Sequence, residues 1–323
     1  MRPPWSMVIF TTLAGAAQGL LLVLVGLDAA TRLELLAPPP AAFWITGPVM
    51  VLVGATAGLV ASIFHLGRPL RAWRATSQWR TSWLSREVIV LPAFMVAVLV
   101  WGLAHRAGAP AAPTALAGAV AALLAVALFV CTGMIYVAVS VIREWASPLT
   151  LVNFALLGLA SGTTLATALA AVAAPAWVPG LAAAAAATTT LGALTRGASA
   201  WRNATLRPKT TLQTAIGVRH PRIVQQSQGA MGGSFGTREF FHGASERTLT
   251  LLRWGVALGA FLLPVVVLAL LSFAGLTGGE ARRWSVAVLV ALAALQYLGL
   301  LGERWLFFAE GQHPQNLYHQ RDS

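Results

Sequence analysis

One cysteine in 323 residues, and charged side chains at only 10%, exclude more than they permit. Cys131 alone cannot form a disulfide within the chain. An iron–sulfur cluster takes about four thiolates, so any cluster must belong to a partner. Such scarce charge also excludes an ordinary soluble domain. With 57% hydrophobic residues and a mean hydropathy of +0.73, the chain is expected to be an all-α polytopic membrane protein, since a spanning helix needs about 20 mainly apolar residues.

Eight runs meet that length, at approximately 6–27, 43–65, 86–105, 114–138, 148–173, 177–196, 249–273 and 284–308. The alanine-rich pair between 148 and 196 is interrupted only by Ala174, Pro175, Ala176 and Pro179, which predicts either a tight hairpin or a re-entrant bend. The first run is expected to be a retained helix: Arg2 is a thin n-region, and the run exceeds a signal-peptide h-region of about 7–15 residues. The chain is read as one integral membrane domain over 1–323, with a large loop at 197–248 and a tail at 309–323.

Basic residues set the orientation. With eight spans, 18 of the 22 fall on the side of the termini and only Arg32, Arg106, Arg282 and Arg283 on the other. Lys and Arg collect on the cytoplasmic side, so both termini are expected to be cytoplasmic. The net charge of +12 lies beside the spans, where topology and acidic headgroups account for it better than nucleic acid does.

Histidine is nearly as restricted as cysteine. Only His65 and His105 lie near helix ends, and they fall on opposite faces of a bilayer about 30 Å thick, so they cannot grip one haem. His220, His242, His313 and His319 lie in the large loop or the tail, where solvated or docking roles suffice. A haem held by His65 and a loop histidine stays open as an alternative.

The charge that is present concentrates in 62–87, SIFHLGRPLRAWRATSQWRTSWLSRE. His65 closes the second apolar run and Glu87 opens the third, with Arg68, Arg71, Arg74, Arg80 and Arg86 between them. Ionisable groups at bilayer depth cost a few kcal/mol each, which makes a functional reading the default. Gly47, Gly54, Gly58 and Ala61 share a helical face with His65. Gly54 and Gly58 form a small-xxx-small pair, so His65 is expected to point into the bundle. Bland accounts also exist: His65 could cap its helix, and Glu87 could sit in a first turn favoured by the helix dipole and capped by Ser85. Trp73, Trp79 and Trp83 fit an interfacial belt.

The chemistry suited to such a site is quinone redox, which moves two electrons and two protons and therefore needs an apolar pocket with titratable groups at its edge. Histidine titrates near neutrality and a desolvated glutamate can be raised toward it. His65 and Glu87 are the candidate proton-handling residues, and Arg71, with Arg68 and Arg74, the candidate source of positive potential. Gln18, Tyr136, Asn153, Gln296, Tyr297 and Glu303 are secondary polar candidates within spans. A secondary transporter, which would place ionisable residues near the midplane, and a purely structural anchor are the competing classes.

HLGRPLRAW at 65–73 followed by SWLSRE at 82–87 closely resembles stretches of the membrane-anchor subunits of the dimethyl sulfoxide reductase family. The segment TLQTAIGVRHPRIVQQSQGAMGGSFGTREFFHG at 211–243 is similar to the anchors of cytoplasmic, membrane-bound sulfite dehydrogenases, a sister branch. The resemblance covers nearly the whole chain. It implies a complex of three subunits in the bacterial inner membrane: a molybdopterin catalytic subunit, an iron–sulfur electron-transfer subunit, and a metal-free anchor exchanging electrons with ubiquinone or menaquinone. It also implies quinone-binding roles for His65 and Glu87, and sulfite-oxidising rather than quinol-oxidising flow. The 197–248 loop, with Arg202, Arg207, Lys209, Arg219, Arg222, Arg238 and Arg247 among apolar anchors Ile223, Val224, Phe235, Phe240 and Phe241, is expected to dock the iron–sulfur subunit.

Overall fold

The computed structural model describes residues 2–206, 211–224, 242–273 and 279–313, the side chains of 279–282 excepted. The described residues are helical without strands: α1 (Trp5–Arg32), α2 (Ala41–Ile63), α3 (Trp83–Arg106), α4 (Ala111–Val137), α5 (Pro148–Ala173), α6 (Val178–Ala204), a short α7 (Leu212–Ile216), α8 (Glu246–Phe273) and α9 (Gly279–Ala309). All but α7 are long and apolar enough to cross a membrane, which gives the eight expected spans. The chain is an all-α polytopic membrane protein.

Successive spans alternate in direction, so α2, α4, α6 and α9 finish at one end of the bundle, where α3, α5 and α8 begin. This end, which carries most of the arginines, is called the basic end below. Helices α1 and α5 form the centre: 72% and 67% of their apolar windows are buried, against 22% for α3. Glycine makes that centre possible. A Cβ on Gly19 would lie 1.9 Å from the Gly158 carbonyl oxygen, and one on Gly162 would lie 2.2 Å from the Gly19 carbonyl carbon. The two backbones are therefore in direct contact, as small residues allow where lipid supplies no hydrophobic drive between helices. Gly58 of α2 approaches α1 in the same way, with a Cβ position 3.3 Å from the Phe10 carbonyl oxygen.

The boundaries follow local chemistry. Ser147 and Ser245 accept from the backbone N–H of Leu149 and Thr248 and cap α5 and α8. The Ala174–Trp177 break is a tight hairpin, closed by a single 3₁₀ turn over Pro175–Trp177. Helix α6 runs eight residues past the apolar run, to Ala204, because Arg196 and Ser199 face protein partners rather than solvent. Within α8, Ala257–Leu262 forms a π-helical turn, against which Gly299 of α9 packs so closely that a Cβ would lie 2.4 Å from the Ala260 nitrogen.

Candidate functional site

Helix α2 stops at Ile63, with Phe64 as its C-cap, so His65 lies beyond the helix. The expectation that His65 points into the bundle is therefore corrected: its side chain is exposed, while the small residues before it pack on α1. Its backbone N–H donates to the Ser62 carbonyl at 3.5 Å, and partial desolvation lowers its pKa below the ordinary value of 6.5. The connection to α3 is a 3₁₀ segment, Pro69–Gln78, with no buried residue.

Arg68 is the N-cap of that segment and Arg71 donates its backbone N–H to the Arg68 carbonyl at 3.0 Å. Arg74 lies over the Trp73 ring at 5.5 Å. All three guanidinium side chains are exposed, and among the described residues none is paired with a carboxylate. Arg86 is different in role. It donates to the carbonyls of Trp79 and Arg80 at 2.9 and 2.8 Å and covers Trp83 at 4.1 Å, which fastens the connection to the start of α3.

Helix α3 begins earlier than its apolar run because Ser82, not Ser85, caps it; the Ser82 hydroxyl accepts from the Ser85 N–H. Glu87 consequently sits in the second turn, beyond reach of the dipole argument, and is only 4% exposed. It accepts a hydrogen bond from the Thr132 hydroxyl of α4. His65 and Glu87 thus share the basic end, His65 on the outside and Glu87 on the inside, and no hydrogen bond or ion pair joins them. Beside His65, Phe64 is 83% exposed, and in the connecting segment Leu70 is 92% exposed among the exposed arginines.

Two further polar clusters lie outside the His65–Glu87 pair, and of their members the sequence offers only Glu303 as a secondary polar candidate. At the basic end, Arg196 of α6 donates to Glu303 at 2.8 Å and to Glu310 at 2.9 Å, both at the end of α9. Arg304 lies beside them, over the Phe154 ring at 3.6 Å. Counting Arg196 only among the basic residues that set the orientation hid this cluster. The signal that exposes it is the seven-residue spacing of Gln296, Glu303 and Glu310, which places all three on one helical face. At the opposite end, Asp28 pairs with Arg32 at 3.1 Å and His105 at 3.5 Å. His105 stacks on Trp44 and meets Trp101 edge-on, so it belongs to a closed cluster far from His65.

Among the described residues no group of three or more His, Cys, Asp and Glu side chains is arranged to hold a metal ion. His220 and His242 accept from the backbone N–H of Arg222 and Ala244 respectively. Of the expected docking loop, residues 207–210 and 225–241 lie outside the described residues, as do 314–323 of the tail with His319.

Comparison with known proteins agrees with this architecture. The chain is 45% identical to a sulfite dehydrogenase subunit of Allochromatium vinosum over 331 aligned positions, covering 99% of each protein. Residues 1–218 match the family described as the DMSO reductase anchor subunit, DmsC. That match takes in α1–α6, the exposed arginine segment and Glu87, and the chain therefore belongs to the DMSO reductase anchor-subunit family.

Proposed function

We propose that this chain anchors a three-subunit sulfite dehydrogenase complex in the bacterial cytoplasmic membrane and passes electrons from an iron–sulfur subunit to quinone, ubiquinone or menaquinone. A molybdopterin subunit would oxidise sulfite. The identity to a sulfite dehydrogenase subunit supports the choice of complex. The observation that carries the quinone reading is Glu87, a carboxyl buried at the basic end with a neutral hydroxyl as its hydrogen-bond partner.

A bound quinone accepts two electrons and two protons at its carbonyl oxygens. The residues fit that requirement. Exposed Phe64, Leu66 and Leu70 offer an apolar seat at the membrane edge, and His65 beside them presents an imidazole whose partial desolvation favours the neutral ring, able to donate from one nitrogen and accept at the other. Glu87 holds a proton-carrying group inside the bundle, oriented by Thr132. Arg71, with Arg68 and Arg74, keeps the potential positive where negative charge develops.

Electron supply requires docking, for which the 197–248 loop is the proposed surface and the cytoplasm the proposed side for both termini. Described parts of that loop support the role: Arg219 and Arg222 are exposed, and Val224 beside them is an exposed apolar residue. Deleting 225–243 is expected to release the soluble subunits from membranes; their retention would refute the docking role. The family match equally accommodates a dimethyl sulfoxide reductase-type complex, in which the same site would oxidise quinol.

The test is sulfite oxidation by membranes holding the intact complex, coupled either to quinone or to an artificial dye. His65→Ala is expected to lower the quinone-linked rate at least tenfold and leave the dye-linked rate unchanged. Retention of both rates would displace the quinone from the α2–α3 junction, and absence of sulfite oxidation in the wild type would favour the reductase branch.

A further inference from the structure

Helices α6 and α9 are joined by a polar ladder with a seven-residue period. Thr189 accepts from Gln296 at 3.1 Å, and one period nearer the basic end Arg196 donates to Glu303 at 2.8 Å and then reaches Glu310 at 2.9 Å. Seven residues are two helical turns, so each rung advances about 10.5 Å. The ladder runs from well inside the bundle to its basic surface, where Arg253 meets Glu310 at 3.5 Å.

The seam is not closed by protein alone. Glu303 is 1% exposed, yet its Oε2 has no hydrogen-bond partner, and the same holds for Gln296 Oε1 and Asn153 Oδ1. Arg304 is 4% exposed; its Nε lies 3.7 Å from Glu303 Oε2, and among the described residues its guanidinium donates no hydrogen bond. Leaving such groups dry costs several kcal/mol. Arg304 stands between two cavities. The first, lined by Asn153, Arg196, Ser199, Glu303 and Glu310 among others, leaves about 20 Å³ open to the centre of a water molecule. The second, lined by Thr11, Thr12 and Ser161, leaves about 10 Å³. A water needs about 10–15 Å³ by this measure and two to four polar partners, so the cavities suit one or two waters and about one.

The path continues toward Glu87. Phe154, beneath Arg304, stacks on Tyr136 at 5.4 Å. Tyr136 is buried, its hydroxyl makes no hydrogen bond among the described residues, and it lies one helical turn along α4 from Thr132, the hydrogen-bond partner of Glu87.

We propose that this hydrated seam is the route by which protons enter the redox site: from the basic surface past Glu310 and Arg196 to Glu303, through the waters around Arg304, and by way of Tyr136 to Glu87. It rests on the quinone reading above. The balance is complete, with two electrons arriving from the iron–sulfur partner and two protons from water at the basic surface for each quinone converted to quinol. Glu303 and Tyr136 are relay residues and Arg304 holds the waters in place.

The test uses the intact complex. Hydroxyl-radical labelling of the wild type by synchrotron radiolysis of internal water is expected to modify Phe154 and Phe307, which line the cavities, much faster than Phe43 and Phe94 of the apolar core. Equal protection of all four would overturn the proposal. Glu303→Gln is expected to cut quinone-linked turnover at least tenfold, raise its solvent deuterium isotope effect and leave dye-linked turnover intact. Tyr136→Phe, which keeps the ring packing, is expected to do the same if Glu303→Gln fails to assemble. Unchanged turnover and isotope effect in both variants would overturn the route. If Glu87→Gln slows the enzyme and these two do not, the route fails alone; if they slow it and Glu87→Gln does not, delivery to Glu87 is overturned together with the quinone reading there.

Discussion

At the end of the bundle where α1 and α3 finish, Asp28 is met by Arg32 at 3.1 Å and by His105 at 3.5 Å, and three tryptophans close over the group. At the basic end Glu87 is at least as deeply buried, and the partner that bonds it is a single neutral hydroxyl. A carboxylate at bilayer depth is tolerated most readily when cations neutralise it. Asp28 has that compensation and serves the packing of its helices. Glu87 lacks it, so its place in the fold is explained by what it does rather than by what it holds. Glu303 stands between the two, bonded through one oxygen by Arg196, while the other faces Arg304 at 3.7 Å without a hydrogen bond.

The comparison breaks most readily at Arg196. Arg196→Met would leave Glu303 buried without the cation that bonds it, and Glu310 with Arg253 alone, so a loss of about 3–5 kcal/mol is expected, read as failure of the complex to accumulate in membranes. Normal accumulation would mean that other groups already neutralise the pair. Glu87→Gln tests the opposite claim. The amide keeps the shape and still accepts from Thr132, so assembly is expected to be normal while quinone-linked turnover drops at least tenfold, or about 1.4 kcal/mol in the barrier. A variant that assembles poorly with its turnover intact would make Glu87 a packing residue.

Smaller effects sharpen the contrast. Asp28→Asn is expected to lower the stability of the complex by about 1–2 kcal/mol, measured by denaturant titration, with quinone-linked turnover unchanged; the loss is limited because Arg32 also donates to the Ala111 carbonyl at 3.0 Å. His65→Ala should change stability by less than about 0.5 kcal/mol, since the side chain lies outside α2 and is exposed. A larger loss of stability would assign His65 to the fold.

Much of this was legible in the sequence, for reasons that differ by element. The eight spans follow from apolar length alone, and the Ala174, Pro175, Ala176 and Pro179 interruption of the alanine-rich run marks the α5–α6 hairpin. The burial of Glu87 was suggested by its position in a helix of apolar residues. Its partner Thr132 lies 45 residues away and is brought to it only by the packing of α3 on α4. The inward direction expected of His65 failed because Phe64 ends α2 before the helical face reaches it. Arg196 was hidden by composition: a cation at the end of an apolar run looks like a topology signal, and only its spacing relative to the partners on α9 distinguishes an inward charge from a solvated one.

The contact of α1 with α5 has a consequence for biosynthesis. The glycine face of α1 finds its partner on α5 only after more than a hundred further residues are made, an interval on the order of 10 s at ordinary translation rates. During that time α1 must wait in the bilayer with Gly15 and Gly19 facing lipid or insertion machinery. Premature pairing with another small-residue helix, including α1 of a neighbouring nascent chain, is the error this topology has to avoid. A bulkier side chain at Gly158 would therefore leave insertion of the early helices intact and arrest maturation when the fifth arrives.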